Sequence, residues 1–215
     1  MAQPGDLPTV NQSFGRKVQV EALRLGGEIG MTLESRLGRS PLLLTRVAAF
    51  VAVGIALGMA LVGVPNVELV TAVSFLSGFL LGVAAGVLTG GLIEVLFAGL
   101  NPMGSSLGLV LVAQVLGMIL AGALGGMAAR VAGPNRRGIR YAAVVILSGA
   151  VAPIVFDILT NLAFPVMAGF SFSQTLVTLA AGVPFAAIHL LSNLFVFAVI
   201  VRPLIPRLEK VWLSL

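Results

Sequence analysis

Residues 107–131 read LGLVLVAQVLGMILAGALGGMAARV, with no charge before Arg130 and one amide, Gln114. A run of roughly 20 apolar residues crosses the hydrocarbon core of a bilayer. At that depth no water is present, so backbone groups must pair within their own segment, and a run without strand-like alternation is a helix. The same signature recurs at about Leu42–Val62, Val67–Leu81, Val83–Leu100, Tyr141–Phe164 and Val183–Val201. Gly63-Val64-Pro65-Asn66, Asn101–Ser106 and Gly133–Gly138 punctuate the series as turns. Phe170–Gly182 reads as a longer connection, with or without a helical turn, and Pro165 falls near the end of the fifth span. The second and third spans also read as one hairpin with a tight turn near Gly82.

Composition agrees. The 215 residues are 58% hydrophobic and 10% charged, and the mean hydropathy is +1.08. A soluble domain of this length carries more charge on its surface. The absence of cysteine excludes disulfides and thiolate metal sites. Residues 1–40 lack the apolar stretch and cleavage pattern of a signal peptide. They read as a cytoplasmic tail, with an amphipathic surface helix at about Phe14–Leu37 or a partly disordered segment as equal readings.

The cations set the orientation. Arg16, Lys17, Arg24, Arg36, Arg39 and Arg46 precede or open the first span; Arg130, Arg136, Arg137 and Arg140 flank the fourth loop; Arg202, Arg207 and Lys210 follow the sixth span. Six spans put all three clusters on one side, which the positive-inside rule makes cytoplasmic. The expected fold is thus an all-α membrane protein of six transmembrane helices with both termini cytoplasmic. It comprises a 1–40 tail, a 41–205 helical domain and a 206–215 tail, in the plasma membrane of a prokaryote.

Ionisable groups at bilayer depth cost about 2.5–3.5 kcal/mol each on insertion scales, which makes them functional candidates. Here they are Glu94, Asp157 and His189, with Glu68 at the outer end of a span, joined by the amides Asn66, Asn101, Gln114, Asn161 and Asn193. The topology gathers nearly all of them in the outer half. Asp157 and Asn161 are four apart, as are His189 and Asn193, and each pair shares a helix face. Five segments would then feed one outward-facing pocket, with Glu94, Asp157, Asn161, His189 and Asn193 bonding a solute. Asn66, Glu68, Asn101 and Gln114 would line or gate the mouth. Phe75, Phe97, Phe156, Phe164 and Phe185 would supply apolar walls. The plainer reading is that these groups only join helices by hydrogen bonds.

Small residues give a second signal. Ala48, Ala52, Ala56 and Ala60 recur every four residues, and Gly54 and Gly58 widen that surface. Gly82, Gly86 and Gly90 form a similar ridge, read as internal packing. The alanine stripe reads equally as packing or as a docking surface.

The runs Asn66-Val67-Glu68-Leu69-Val70-Thr71, Asn101-Pro102-Met103-Gly104 and Ala113-Gln114-Val115-Leu116-Gly117-Met118 resemble the substrate-binding S components of energy-coupling factor transporters. So do Phe156-Asp157-Ile158-Leu159-Thr160-Asn161 and the stretch from Pro184 to Asn193. The resemblance covers about residues 42–205. It implies a six-helix protein that binds a vitamin-like micronutrient near the outer face. The implied partners are a transmembrane coupling (T) subunit and two cytoplasmic ATPases, besides the lipid bilayer, with no nucleic acid and no cofactor. Ala48, Ala52 and Ala56 match the motif that contacts the coupling subunit. The chain has no GxxxxGK[ST] loop, so ATP hydrolysis would come from partners. Metal-importing members bind through an N-terminal histidine segment, whereas the first histidine here is His189; no metal cargo is expected. Three carboxylates and one histidine favour a neutral or cationic solute.

The chief rivals are an intramembrane enzyme of the CAAX-protease kind and a structural subunit of a membrane complex. The first needs paired glutamates and a second histidine, which the sequence lacks. A self-sufficient channel or transporter fits poorly with a polar cluster confined to one side.

Overall fold

The computed structural model describes residues 41–102 and 104–213; the expected helix at about Phe14–Leu37 lies outside them. Every regular element among the described residues is helical. Helix α1 covers Pro41–Leu61, α2 Val70–Leu81, α3 Val83–Leu100, α4 Gly108–Ala132, α5 Ile139–Met167 and α6 Phe172–Val196. A π-helical segment, Phe197–Val201, then leads into α7, Arg202–Leu213. Five helices are long and apolar enough to cross a membrane, counting α6 with its continuation as one. The chain is a multi-pass helical membrane protein. Two units divide it, Met1–Thr45 and Arg46–Leu215. Of the first, only the opening turn of α1 is described, where Thr45 Oγ1 donates to the Pro41 carbonyl (2.9 Å).

Three boundaries differ from the sequence reading. The second span begins at Val70, not Val67, because Glu68 Oε2 accepts the Thr71 amide (2.8 Å) and so ties the chain ahead of the helix. At 12 residues, α2 is about 18 Å long, short of a full crossing. Phe170–Gly182 is not a connection. From Phe172 onward it is helix, started by a capping box in which Gln174 Oε1 accepts the Ser171 amide (2.8 Å) and Ser171 Oγ accepts the Gln174 amide (3.4 Å). Pro184 and Pro165 sit inside helices rather than ending them, a tolerance common where neighbouring helices support the backbone. The expected 206–215 tail is helical in α7 through Leu213.

The α2–α3 hairpin is as tight as its alternative reading allowed: Gly82 alone separates the helices, at φ 96°, a conformation natural to glycine. Beyond it the backbones of α2, α3 and α4 touch. A methyl on Gly86 would lie 2.4 Å from the Gly122 carbonyl oxygen, and one on Gly90 2.2 Å from that of Met118. Helix α2 is buried from Val70 to Phe79, with α4 packed against α2, α3 and α5.

On α1 the two small-residue lines separate. Gly54 and Gly58 do not widen the alanine surface; they face inward under Ile93 and Phe97. Ala48, Ala52, Ala56 and Ala60 are exposed.

One end of the bundle is closed by Arg136. Its guanidinium bonds Glu209 of α7 (2.8 and 3.1 Å) and stacks over Phe79 (5.0 Å) and Tyr141 (5.8 Å). Tyr141 donates to the Arg202 carbonyl (2.5 Å). The basic loop before α5 and the basic helix α7 therefore share one end. Phe79 lies in the last turn of α2 and Glu68 precedes its first, so α2 separates this end from Glu68.

Candidate functional site

The four residues His189-Leu190-Leu191-Ser192 and then Asn193 put three polar groups on one stripe of α6, at i, i+3 and i+4. All three reach the segment before α2. His189 Nε2 lies 3.3 Å from Glu68 Oε1. Asn193 Nδ2 donates to the same oxygen (3.1 Å). Ser192 Oγ donates to the Asn66 carbonyl (3.0 Å), where Asn66 takes φ 58°, a conformation asparagine tolerates better than most residues. On its other side His189 Nδ1 lies 2.9 Å from Asp157 Oδ1 on α5. Phe156 meets the imidazole edge-on at 5.8 Å between ring centres.

His189 is buried, with its side chain 5% exposed, and sits between carboxylates that are 17% and 22% exposed. A neutral imidazole has one N–H. Two good contacts to carboxylate oxygens therefore require a second proton, on the ring or on a carboxyl. The arrangement can hold a proton between α5 and the α2 entrance, and it joins three segments that are far apart in sequence.

Glu68 is thus the hub of the network rather than a residue of its mouth. Its place follows from the N-terminus of α2: a carboxylate there accepts a backbone amide and meets the positive end of the helix dipole. Glu94 on α3 is buried and within electrostatic reach of Glu68. Gln114 on α4 has a buried Oε1 without a hydrogen-bond partner, as does Asn193 at Oδ1. Asn101 ends α3, where its carbonyl accepts the Gly104 amide (3.2 Å). Asn161 faces α6 across Gly182; a methyl there would lie 3.3 Å from Asn161 Oδ1.

Asp157 and Asn161 are also the polar groups of a groove of about 340 Å³ between α5 and α6. Its walls include Ile154, Ile158, Leu179, Val183 and Leu190. Asp157 therefore belongs both to the buried network and to an open surface. Of the five phenylalanines expected as walls, only Phe156 meets a network side chain. Phe75 is fully buried against Phe197 (5.0 Å between centres), and Phe97 packs under Gly58. Phe164 and Phe185 are exposed; Phe164 stacks on Phe170 (5.7 Å). Ser192, which the sequence reading passed over, joins the network through its hydroxyl, and its spacing from His189 marks it. Among the described residues no group of three or more His, Cys, Asp or Glu is arranged to hold a metal ion.

No protein family, curated protein or solved structure matches the chain.

Proposed function

We propose that this chain is the solute-capturing subunit of a membrane importer, of the kind its motifs resemble: an S component that passes a vitamin-like micronutrient to a coupling subunit driven by partner ATPases. The observation that carries the reading is the shared position of Asp157. It ties the buried polar network to a groove of small-molecule dimensions. Small-molecule sites typically combine apolar walls with a few fixed polar groups, and intramembrane ionisable residues mark solute or proton pathways by default.

The orientation follows from the two ends of α2. The end closed by Arg136 carries Arg130 in the last turn of α4, Arg137 in the loop, Arg140 in the first turn of α5, and Arg202, Arg207 and Lys210 in α7. By the positive-inside rule it is cytoplasmic. Glu68 and the network then lie toward the outer face, where a captured solute would enter. In this reading α2 is the short second of six spans, completed by the turn residues before it, and both termini are cytoplasmic. The exposed alanines Ala48, Ala52 and Ala56 are the face offered to the coupling subunit, and the host membrane is a prokaryotic plasma membrane.

Native mass spectrometry of the protein purified in detergent tests this directly. A co-purifying small molecule, released on Asp157→Ala substitution, is the expected result. A protein that carries no solute, and that no vitamin or vitamin precursor stabilises, would move the assignment to a structural subunit.

A further inference from the structure

We infer that the solute is an organic cation with an apolar body, held with its positive, hydrogen-bond-donating end against Asp157. This deepens the capture reading and rests on it.

The first support is charge. Glu68 and Asp157 both stand against one imidazole. With His189 protonated and both of these carboxyls ionised, one negative charge remains uncompensated. Among the described residues no lysine or arginine lines the groove. Asp157 uses Oδ1 for His189, and no hydrogen bond engages its Oδ2 among the described residues.

The second support is the direction of the unpaired groups. Asn193 is fully buried, and its Oδ1 has no partner. Its orientation is fixed, because Nδ2 donates both to Glu68 Oε1 (3.1 Å) and to the His189 carbonyl (3.2 Å). A flipped amide would set oxygen against two acceptors. Oδ1 therefore remains an acceptor, on a residue that stands behind the groove lining rather than in it. Backbone chemistry adds to it. Pro165 and Pro184 carry no N–H, so the carbonyls of Asn161 on α5 and Ala180 on α6 lack their i+4 helical donors. Both carbonyls belong to the stretches that form the groove. An anion entering there would meet the Asp157 carboxylate, with the Asn161 amide as the one donor side chain in the lining.

The third support is shape. The rest of the lining is aliphatic, and about 340 Å³ is near the lower bound for small-molecule sites. It suits one ring or a short apolar body with a charged end.

Three isosteric probes separate the possibilities: benzamidinium, benzamide and benzoate, each titrated into the full chain in detergent and followed by thermal unfolding. Benzamidinium is expected to stabilise with a half-saturation about tenfold below that of benzamide, and benzoate not at all. Asp157→Asn should raise the benzamidinium value by about tenfold. Asn161→Asp, which adds charge in the groove outside the buried network, should lower it, and serves as the test if Asp157→Asn does not fold. Better binding of benzoate or benzamide would overturn the cation assignment and leave solute capture standing. Benzamidinium binding unchanged in either variant would overturn the position. No stabilisation by any probe would count against the groove as a capture site, and so against both readings. Equal stabilisation by all three would mark a lipid-like apolar occupant and overturn the charge argument.

Discussion

Asn193 on α6 donates through Nδ2 to Glu68 Oε1 at 3.1 Å, across 125 residues of sequence. The same oxygen meets His189 Nε2, and the other oxygen of that carboxylate accepts the Thr71 amide. One side chain thereby fixes the start of α2, the rotation of α6 and, through His189, the position of α5.

Removing it should loosen all three. Glu68→Ala is expected to cost about 1–3 kcal/mol, since several buried groups lose a charged partner at once. Ser192→Ala, which removes one neutral hydroxyl bond, should cost about 1 kcal/mol or less. Thermal unfolding in detergent ranks the two; equal stability of Glu68→Ala and the parent protein would show that the network is not structural.

The glycine contacts predict a steep contrast within one residue type. Gly90→Val should prevent α3 from seating on α4, because the added carbon meets the Met118 carbonyl, a backbone atom that cannot rotate away; about 3 kcal/mol or more is expected. Gly63→Ala meets nothing within 4 Å and should change stability by about 0.5 kcal/mol at most. Expression level and unfolding temperature of the pair decide it.

At the basic end, Arg136 and Glu209 are 21% and 29% exposed. A double-mutant cycle with Arg136→Ala and Glu209→Gln is expected to give a coupling of about 1 kcal/mol, which added salt should reduce. A larger single effect of Arg136→Ala than of Glu209→Gln would report its contacts over Phe79 and Tyr141. No coupling would mean that α7 is held by apolar packing alone.

On α1, Ala52→Leu and Ala56→Leu alter an exposed face and should leave the unfolding temperature of the isolated chain nearly unchanged. If that face meets a coupling subunit, uptake in cells should fall while solute binding persists. Intact uptake would remove the docking role from the stripe.

Much of the fold was legible in hydropathy and turn chemistry. The apolar runs located α1, α3 and α4 to within a residue or two, and Gly82 announced the hairpin. The start of α6 was missed because Gly182 and Pro184 look like breakers, although Ser171 and Gln174 already spelled a capping box. Glu68, Asp157, His189 and Asn193 were legible as polar residues in apolar surroundings, but their arrangement was not. Asp157 and His189 meet, Glu68 bonds both His189 and Asn193, and Phe156 stacks edge-on against His189.

The sequence by itself determined that the bilayer is the solvent and that the elements are helices, because both follow from local composition and the need to pair backbone groups without water. Only the tertiary structure decided which way each helix faces. A helix that is apolar all round carries little amphipathic signal, and in lipid an outward leucine is as acceptable as an inward one. Rotation was therefore set by contacts that no local pattern encodes: glycine against carbonyl among α2, α3 and α4, and one carboxylate at Glu68 that accepts from α2 and α6 together.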